Sequence, residues 1–329
     1  MLPEPTSLSP AALRRLRRDA VVVQADLTPF RITGPKALDC LQGLLTNDLI
    51  KPGEESLTYG ALLTSKGMLV VDAWVVRHGG EFLWLTPAAH SAPTLEIFRR
   101  SLPPRLARAE DERANRIVLS VHGARTADLM AEAGLGPVPE KGRVVERSFG
   151  GWPLLLARPS SAPFELLIVV GRDESEPLVQ QLLRSGAASG DGEASEAARI
   201  LAGWPGLGRE IDERTLPQEV RYDDINGVSY SKGCYVGQET VARLHFRGHA
   251  NRELRGLVWI GAGPESETVL RQDGKTAGEI SSLLRLTDRT LGLVKIRREV
   301  LEEGATHVSA GGNPAQLVSL PFAPDLIGG

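Results

Sequence analysis

The residues of greatest chemical interest in this 329-residue chain lie at 227–247, in the run GVSYSKGCYVGQETVARLHFR. Cys234 is one of only two cysteines, Lys232 precedes it by two residues, and Gly233 and Gly237 bracket it. Residues 227–230 alternate like a strand, 231–233 read as a turn, and 238–246 have helical character. That order predicts Cys234 at a strand-to-helix junction, near the positive end of a helix dipole. Unpaired backbone N–H groups and a nearby ammonium both favour thiolate over thiol, against a free-cysteine pKa of about 8.5. Glycine at 233 and 237 allows tight backbone paths that a side chain would block. On these residues alone two readings stay open: a reactive thiol, or a cysteine buried as a small apolar group. Cys40 reads as core, because it shares a helical apolar stripe with Leu38, Leu41 and Leu44.

Other ligand chemistry is poorly represented. No C-x-x-C or Cys/His spacing occurs, so neither a protein-built zinc or iron–sulfur site nor a disulfide framework is expected. His245 and His249 are four apart, but Phe246-Arg247-Gly248 between them ends the helix, and the six histidines form no ligand-spaced cluster. Lys plus Arg total 38 against 41 Asp plus Glu, a net charge of −3. That balance does not favour nucleic acid as a direct partner. With 42% hydrophobic and 24% charged residues, the chain falls in the globular range. Residues 1–20 lack the apolar stretch of a signal peptide. Apolar runs such as 166–170 are too short to span a bilayer. A soluble, cytoplasmic protein without membrane contact is the expectation.

The elements that must position these residues are mixed. Residues 11–18 form a short basic helix, read as a solvated face. Strands are predicted at 21–23, 62–76 with a break at Lys66-Gly67, 82–85, 117–121 and 164–170. Residues 34–45 carry helical spacing, and the last two strands each precede a helix-permissive segment. Residues 185–195 (SGAASGDGEAS) read as a flexible connection. After Asn251, short runs at 255–260, 276–281 and 290–296 suggest a small antiparallel β unit. The class is α+β.

The string Lys232-Gly233-Cys234-Tyr235-Val236-Gly237-Gln238-Glu239 resembles the K-G-C-Y-x-G-Q-E signature of the YgfZ family, and the likeness continues through Val241-Ala242-Arg243 and Phe246-Arg247-Gly248. Leu41 to Asp48 (LQGLLTND) and Tyr59 to Asp72 (YGALLTSKGMLVVD) resemble two further family segments. The resemblance implies a fold shared with the T-protein of the glycine cleavage system, a folate-dependent aminomethyltransferase. Three subdomains would surround a central cleft, two of them interleaved over 15–250 and the third a C-terminal β-barrel over 251–329. It implies tetrahydrofolate or a derivative as cofactor, and iron–sulfur client or assembly proteins as partners, with an indirect link to tRNA modification.

By motif, the T-protein's folate-site aspartate falls on Asp72; a strand-end carboxylate that is paired or faces solvent is the alternative. Arg199, in RILAG, resembles the arginine expected near the folate's acidic tail, where a guanidinium suits a carboxylate. The pattern is broken at Leu201, where relatives carry Glu. Glu165 resembles an acidic pterin reader, or is a surface-strand glutamate. Arg243, Arg247, Arg252 and Arg255 form a strip near Cys234 that would attract a polyglutamyl tail or RNA, or else a solvated rim. Three functions are thus in play. The first is a folate-binding factor for assembly or repair of iron–sulfur proteins, with Cys234 and Lys232 at its chemical centre. The second is an aminomethyl transferase using Asp72, and the third a direct tRNA-binding or tRNA-modifying protein. The T-protein reaction needs no cysteine, which favours the first.

Overall fold

A computed structural model describes residues 2–327. Continuous apolar runs become strands with both faces covered. In strand Leu69–His78 the alternation sends Val71, Ala73 and Val75 to one side and Trp74 and Val76 to the other. That strand belongs to an antiparallel five-stranded sheet ordered Ser56–Leu63, Leu69–His78, Glu81–Pro87, Leu27–Thr33 and Arg108–Asp111. A six-stranded sheet faces it. Its order is Ala188–Ser189, Val21–Gln24, Arg116–His122, Leu166–Gly171, Trp152–Ala157 and Val144–Phe149. The chain begins the second sheet at residue 21, leaves it to build the first, and returns at 116, so the two sheets are interleaved in sequence.

A shared core lies between them. Leu57, Tyr59, Trp74 and Leu85 from one sheet meet Val118, Leu155, Leu167 and Val169 from the other. Helices Ala37–Gln42 and Ser91–Ser101 cover the outer face of the first sheet, and Thr126–Glu132 and Arg172–Arg184 that of the second. The third unit is a closed antiparallel barrel. Its strands run Lys275–Arg285, Val269–Gln272, His307–Ala310, Asn313–Val318, Arg252–Ile260, Arg289–Arg297 and back to Lys275–Arg285. Closure leaves the barrel no long open edge. The short strand Thr6–Ser7 pairs in parallel with Lys275–Arg285, so the start of the chain adds to a barrel made near its end.

One reading of the sequence is corrected and another extended. Residues 185–195 are not a loose connection. Ala188–Ser189 pairs with Val21–Val22, and Asp191 caps helix Gly192–Leu201 by accepting from the Ala194 N–H. The basic helix Pro10–Arg18 does expose Arg14, Arg15 and Arg18 to solvent, and it also has an inner face. Leu13 and Leu16 are buried in an apolar cluster that also holds Ala197, Ile200 and Leu201 of the later helix and Leu254 and Val258 of the barrel. No helix among the described residues is long and apolar enough to cross a membrane.

One polar clamp crosses between the sheets. The His78 ring nitrogens lie 2.5 Å from Glu55 and 3.0 Å from Glu146 of the opposing sheet. Burial disfavours the imidazolium, but the two carboxylates outweigh it and hold the pKa above its ordinary value. The stabilisation is therefore complete below the unfolded value of about 6.5 and is lost as pH rises through the higher folded value. Because the carboxylates are half-exposed, it amounts to less than about 1 kcal/mol. Urea midpoints measured between pH 6 and 9 should fall for the parent protein and stay flatter for His78→Gln.

Candidate functional site

Lys232 lies in the interior, at 8% exposure. Its Nζ donates to the carbonyls of Gln42 at 2.7 Å, Leu45 at 2.6 Å and Asn47 at 2.8 Å. These oxygens belong to the end of helix Ala37–Gln42 and the turn after it, where carbonyls lack partners and a cation is favoured. Burial pushes the ammonium down to about 8, with Asp48 opposing. The Tyr235 ring lies 5.1 Å from Nζ.

The LQGLLTND segment and the cysteine segment thus form one node. Thr46 Oγ1 donates to the Gly227 carbonyl, and the Asn47 amide donates to the carbonyls of Asn226 and Tyr59. Ser229 N–H donates to the Thr46 carbonyl, and Val236 N–H to that of Gly43. Burial works against the Asp48 carboxylate. Even so, N–H groups of Lys51 and Ile50, the Gln42 amide and Lys232 hold its pKa below the ordinary value.

Lys232 is therefore directed inward, although the sequence places it beside Cys234. All three Lys232 protons face carbonyls, which leaves none directed to the sulfur. Residues 227–230 form no strand, their backbone being drawn to the 46–47 turn instead. Helix Gln238–Arg247 starts after Gly237, so Tyr235, Val236 and Gly237 separate Cys234 from its first residue. The thiol is exposed, and so are its neighbours Gly233 and Val236. Cys40 is partly buried at the edge of the core around Leu41, and burial followed by Asp39 raises its thiol pKa.

The two glycines differ. Gly237 has φ +82°, and a Cβ there would lie 2.5 Å from the Thr64 carbonyl oxygen. The hairpin turn at 64–67 presses against it, and Gly67 in that turn meets Thr240. A Cβ on Gly233 would meet open space, so the tight path inferred there from sequence does not exist. Gln238 opens the helix, and the exposed Glu239 sits in its first turn, where the dipole favours a carboxylate.

Asp72 faces the core between the sheets from the strand of Trp74. Tyr59 Oη donates to its Oδ2 at 2.6 Å, and the Tyr222 hydroxyl lies 3.2 Å from that of Tyr59. Oδ1 is buried without a hydrogen-bond partner. Burial raises the Asp72 pKa above the ordinary carboxylate range, opposed by the Tyr59 bond and more distantly by His90 and Arg199. His90 leaves its own Nδ1 buried and unpartnered. Trp204 packs 4.9 Å from the Tyr59 ring and 5.8 Å from Trp74, giving the carboxyl an aromatic surround. Tyr59, Tyr222 and His90 were not singled out from the sequence. Tyr59 lies inside the YGALLTSKG motif, two residues before Ala61, the register partner of Asp72.

Arg199 is placed otherwise than a free tail-binding cation. Its guanidinium donates to both Glu196 oxygens, to Glu210 and the Trp204 carbonyl, and to Ser282 Oγ of the barrel. Burial opposes this charge, but Glu210 and Glu196 raise its pKa. Glu165 is exposed, with Arg158 at 3.9 Å, at the start of the Leu166–Gly171 strand. Neither is brought to Asp72 by a hydrogen bond. Among the described residues no group of three or more His, Cys, Asp or Glu is placed to hold a metal ion.

The GCVT N-terminal domain profile matches residues 12–225. The chain belongs to that family. It is 26% identical over 324 residues to the tRNA-modifying protein YgfZ of Cronobacter sakazakii, covering 95% of this chain and 96% of the relative. The Escherichia coli K12 protein of the same name is 24% identical over 299 residues, covering 89% and 90%. Among solved structures, the glycine cleavage system aminomethyltransferase T of Bartonella henselae superposes with a TM-score of 0.80 at 18% identity, covering 95% of this chain and 89% of that one. These findings bear out the YgfZ resemblance and the T-protein-like α+β fold. Within this GCVT chain the signature lysine is a strut, and the signature cysteine stands outside on what the strut supports.

Two sets of variants test this division. Lys232→Met removes the cation from three carbonyls and should destabilise by about 3 kcal/mol in urea unfolding, as for breaking a buried charged network. Gly237→Ala should destabilise by about 2 kcal/mol, whereas Gly233→Ala should stay within about 0.5 kcal/mol of the parent.

Proposed function

We propose that this protein binds tetrahydrofolate or a derivative beside Asp72, and that it supports iron–sulfur proteins, tRNA-modifying enzymes among them, through the exposed Cys234. The observation that carries the folate reading is the buried Oδ1 of Asp72. A buried carboxylate oxygen without a donor costs free energy, and a ligand N–H placed there recovers it. A reduced pterin offers N–H and amino donors along one edge and a flat ring that suits the Tyr59, Tyr222 and Trp204 surround. When bound, the folate would supply one-carbon chemistry at its nitrogens. Asp72 would accept its proton donors, and Tyr59 would hold the Asp72 carboxyl in place. Arg199 would act by fixing the 196–210 wall through Glu196 and Glu210.

The thiol reading is supported by position. Cys234 is exposed on a segment braced from beneath by Lys232, which suits transfer to or from a partner surface. The names of the Cronobacter and Escherichia relatives support the tRNA-linked part. A one-carbon transferase is the second reading, favoured by the buried carboxyl of Asp72 on an aminomethyltransferase fold.

Calorimetric titration with tetrahydrofolate should give saturable binding, weakened about tenfold or more in Asp72→Asn, the loss of a bond to a charged acceptor. Absence of saturation in the parent protein removes the folate reading. Cys234→Ala should bind folate like the parent yet fail to restore iron–sulfur enzyme activity in a strain lacking its own copy. Turnover of an aminomethyl-lipoyl donor would promote the second reading.

A further inference from the structure

Helix Gln238–Arg247 buries a single residue, Val241. On its open side Arg243, Phe246 and Arg247 stand at i, i+3 and i+4, all exposed, with Phe246 at 67%. Phe246 is not a stray apolar side chain. It meets the His245 ring edge-on at 4.8 Å, and His245 stacks on Tyr230 at 3.6 Å with planes 16° apart. Asp223 fixes the group from one side, accepting from the Tyr230 hydroxyl and lying 3.5 Å from His245 Nδ1. Three rings are therefore held together at the surface before any ligand arrives.

The charges beside them are unneutralised. Arg255, Arg297 and Arg298 pair with Glu253, Glu299 and Glu302. Among the described residues Arg243, Arg247 and Arg252 have no carboxylate or hydrogen-bond partner for the guanidinium. Arg252 borders a cavity of about 240 Å³ at the end of the helix, with His245 and His249 and with the carboxylates of Asp223 and Glu253, which are paired to Tyr230 and Arg255.

We propose that this face binds a single-stranded stretch of RNA, a base stacking on Phe246 and the phosphates meeting Arg243, Arg247 and Arg252. The inference rests on the tRNA-linked reading above and gives it a direct contact. Phosphates complement cations left without counter-charges, and an unpaired base complements an exposed ring backed by two others. A duplex hides its base faces, and an acidic protein would use the arginines but not the ring.

The test uses the full chain, a fluorescein-labelled single-stranded RNA 12-mer and an unmodified tRNA transcript, followed by anisotropy at several salt concentrations. Three phosphate contacts predict a log K against log salt slope of about −2. Phe246→Ala should weaken binding about tenfold with the slope unchanged. The double variant R243A/R247A should flatten the slope by about 1.4. Tetrahydrofolate titration of the same proteins should give parental affinity throughout, which separates this face from the folate reading. No binding by the parent at low salt, or binding indifferent to Phe246→Ala, overturns the proposal. Equal competition by a polyglutamate peptide also overturns it, in favour of an acidic protein partner.

Discussion

One buried ammonium organises the candidate site. Lys232 neutralises the carbonyl end of a helix formed some 190 residues earlier, at distances of 2.6 to 2.8 Å. A buried lysine is tolerated only with such partners. Its consequences run in two directions. Outward, it holds the backbone that displays Cys234. Inward, the same turn carries Asn47, whose amide donates to the Tyr59 carbonyl, and Tyr59 donates in turn to Asp72. The segment that carries the surface thiol and the strand that carries the interior carboxyl are therefore linked through Lys232, Asn47 and Tyr59, although they lie in different motifs.

Much of this architecture was legible in the residues. The runs at 62–76 and 117–121 became buried strands because both of their faces are covered, and the punctuated texture after 251 became barrel strands. The K-G-C-Y-x-G-Q-E string did not disclose where its lysine points. Sequence proximity placed Lys232 beside Cys234, whereas long-range demand from unpaired carbonyls drew it inward. Nothing local to 227–233 announces that demand. The same limit applies to 227–230, where alternation suggested a strand and hydrogen bonds to Thr46 captured the backbone instead. Tyr222 and His90 could not be read at all, since only tertiary packing brings them near Asp72.

Arg199 shows how a motif residue is defined by the acids around it. Glu210 is fully buried and takes both Arg199 and the Ser282 hydroxyl. Helix Gly192–Leu201 is thereby pinned to the barrel. The departure at Leu201 has a packing reason. That side chain sits in an apolar cluster with Leu254, Val258 and Phe322, where a carboxylate would be stranded without a partner.

The parallel pairing of Thr6–Ser7 with Lys275–Arg285 has a consequence for biosynthesis. Leu13 and Leu16 are made long before Ala197, Ile200, Leu254 and Val258, which share their apolar cluster. Until those later segments are made, the apolar side of the first helix lacks much of its cover, which suits it to a chaperone. A segment made early thus reaches its final packing only after the barrel strands have followed.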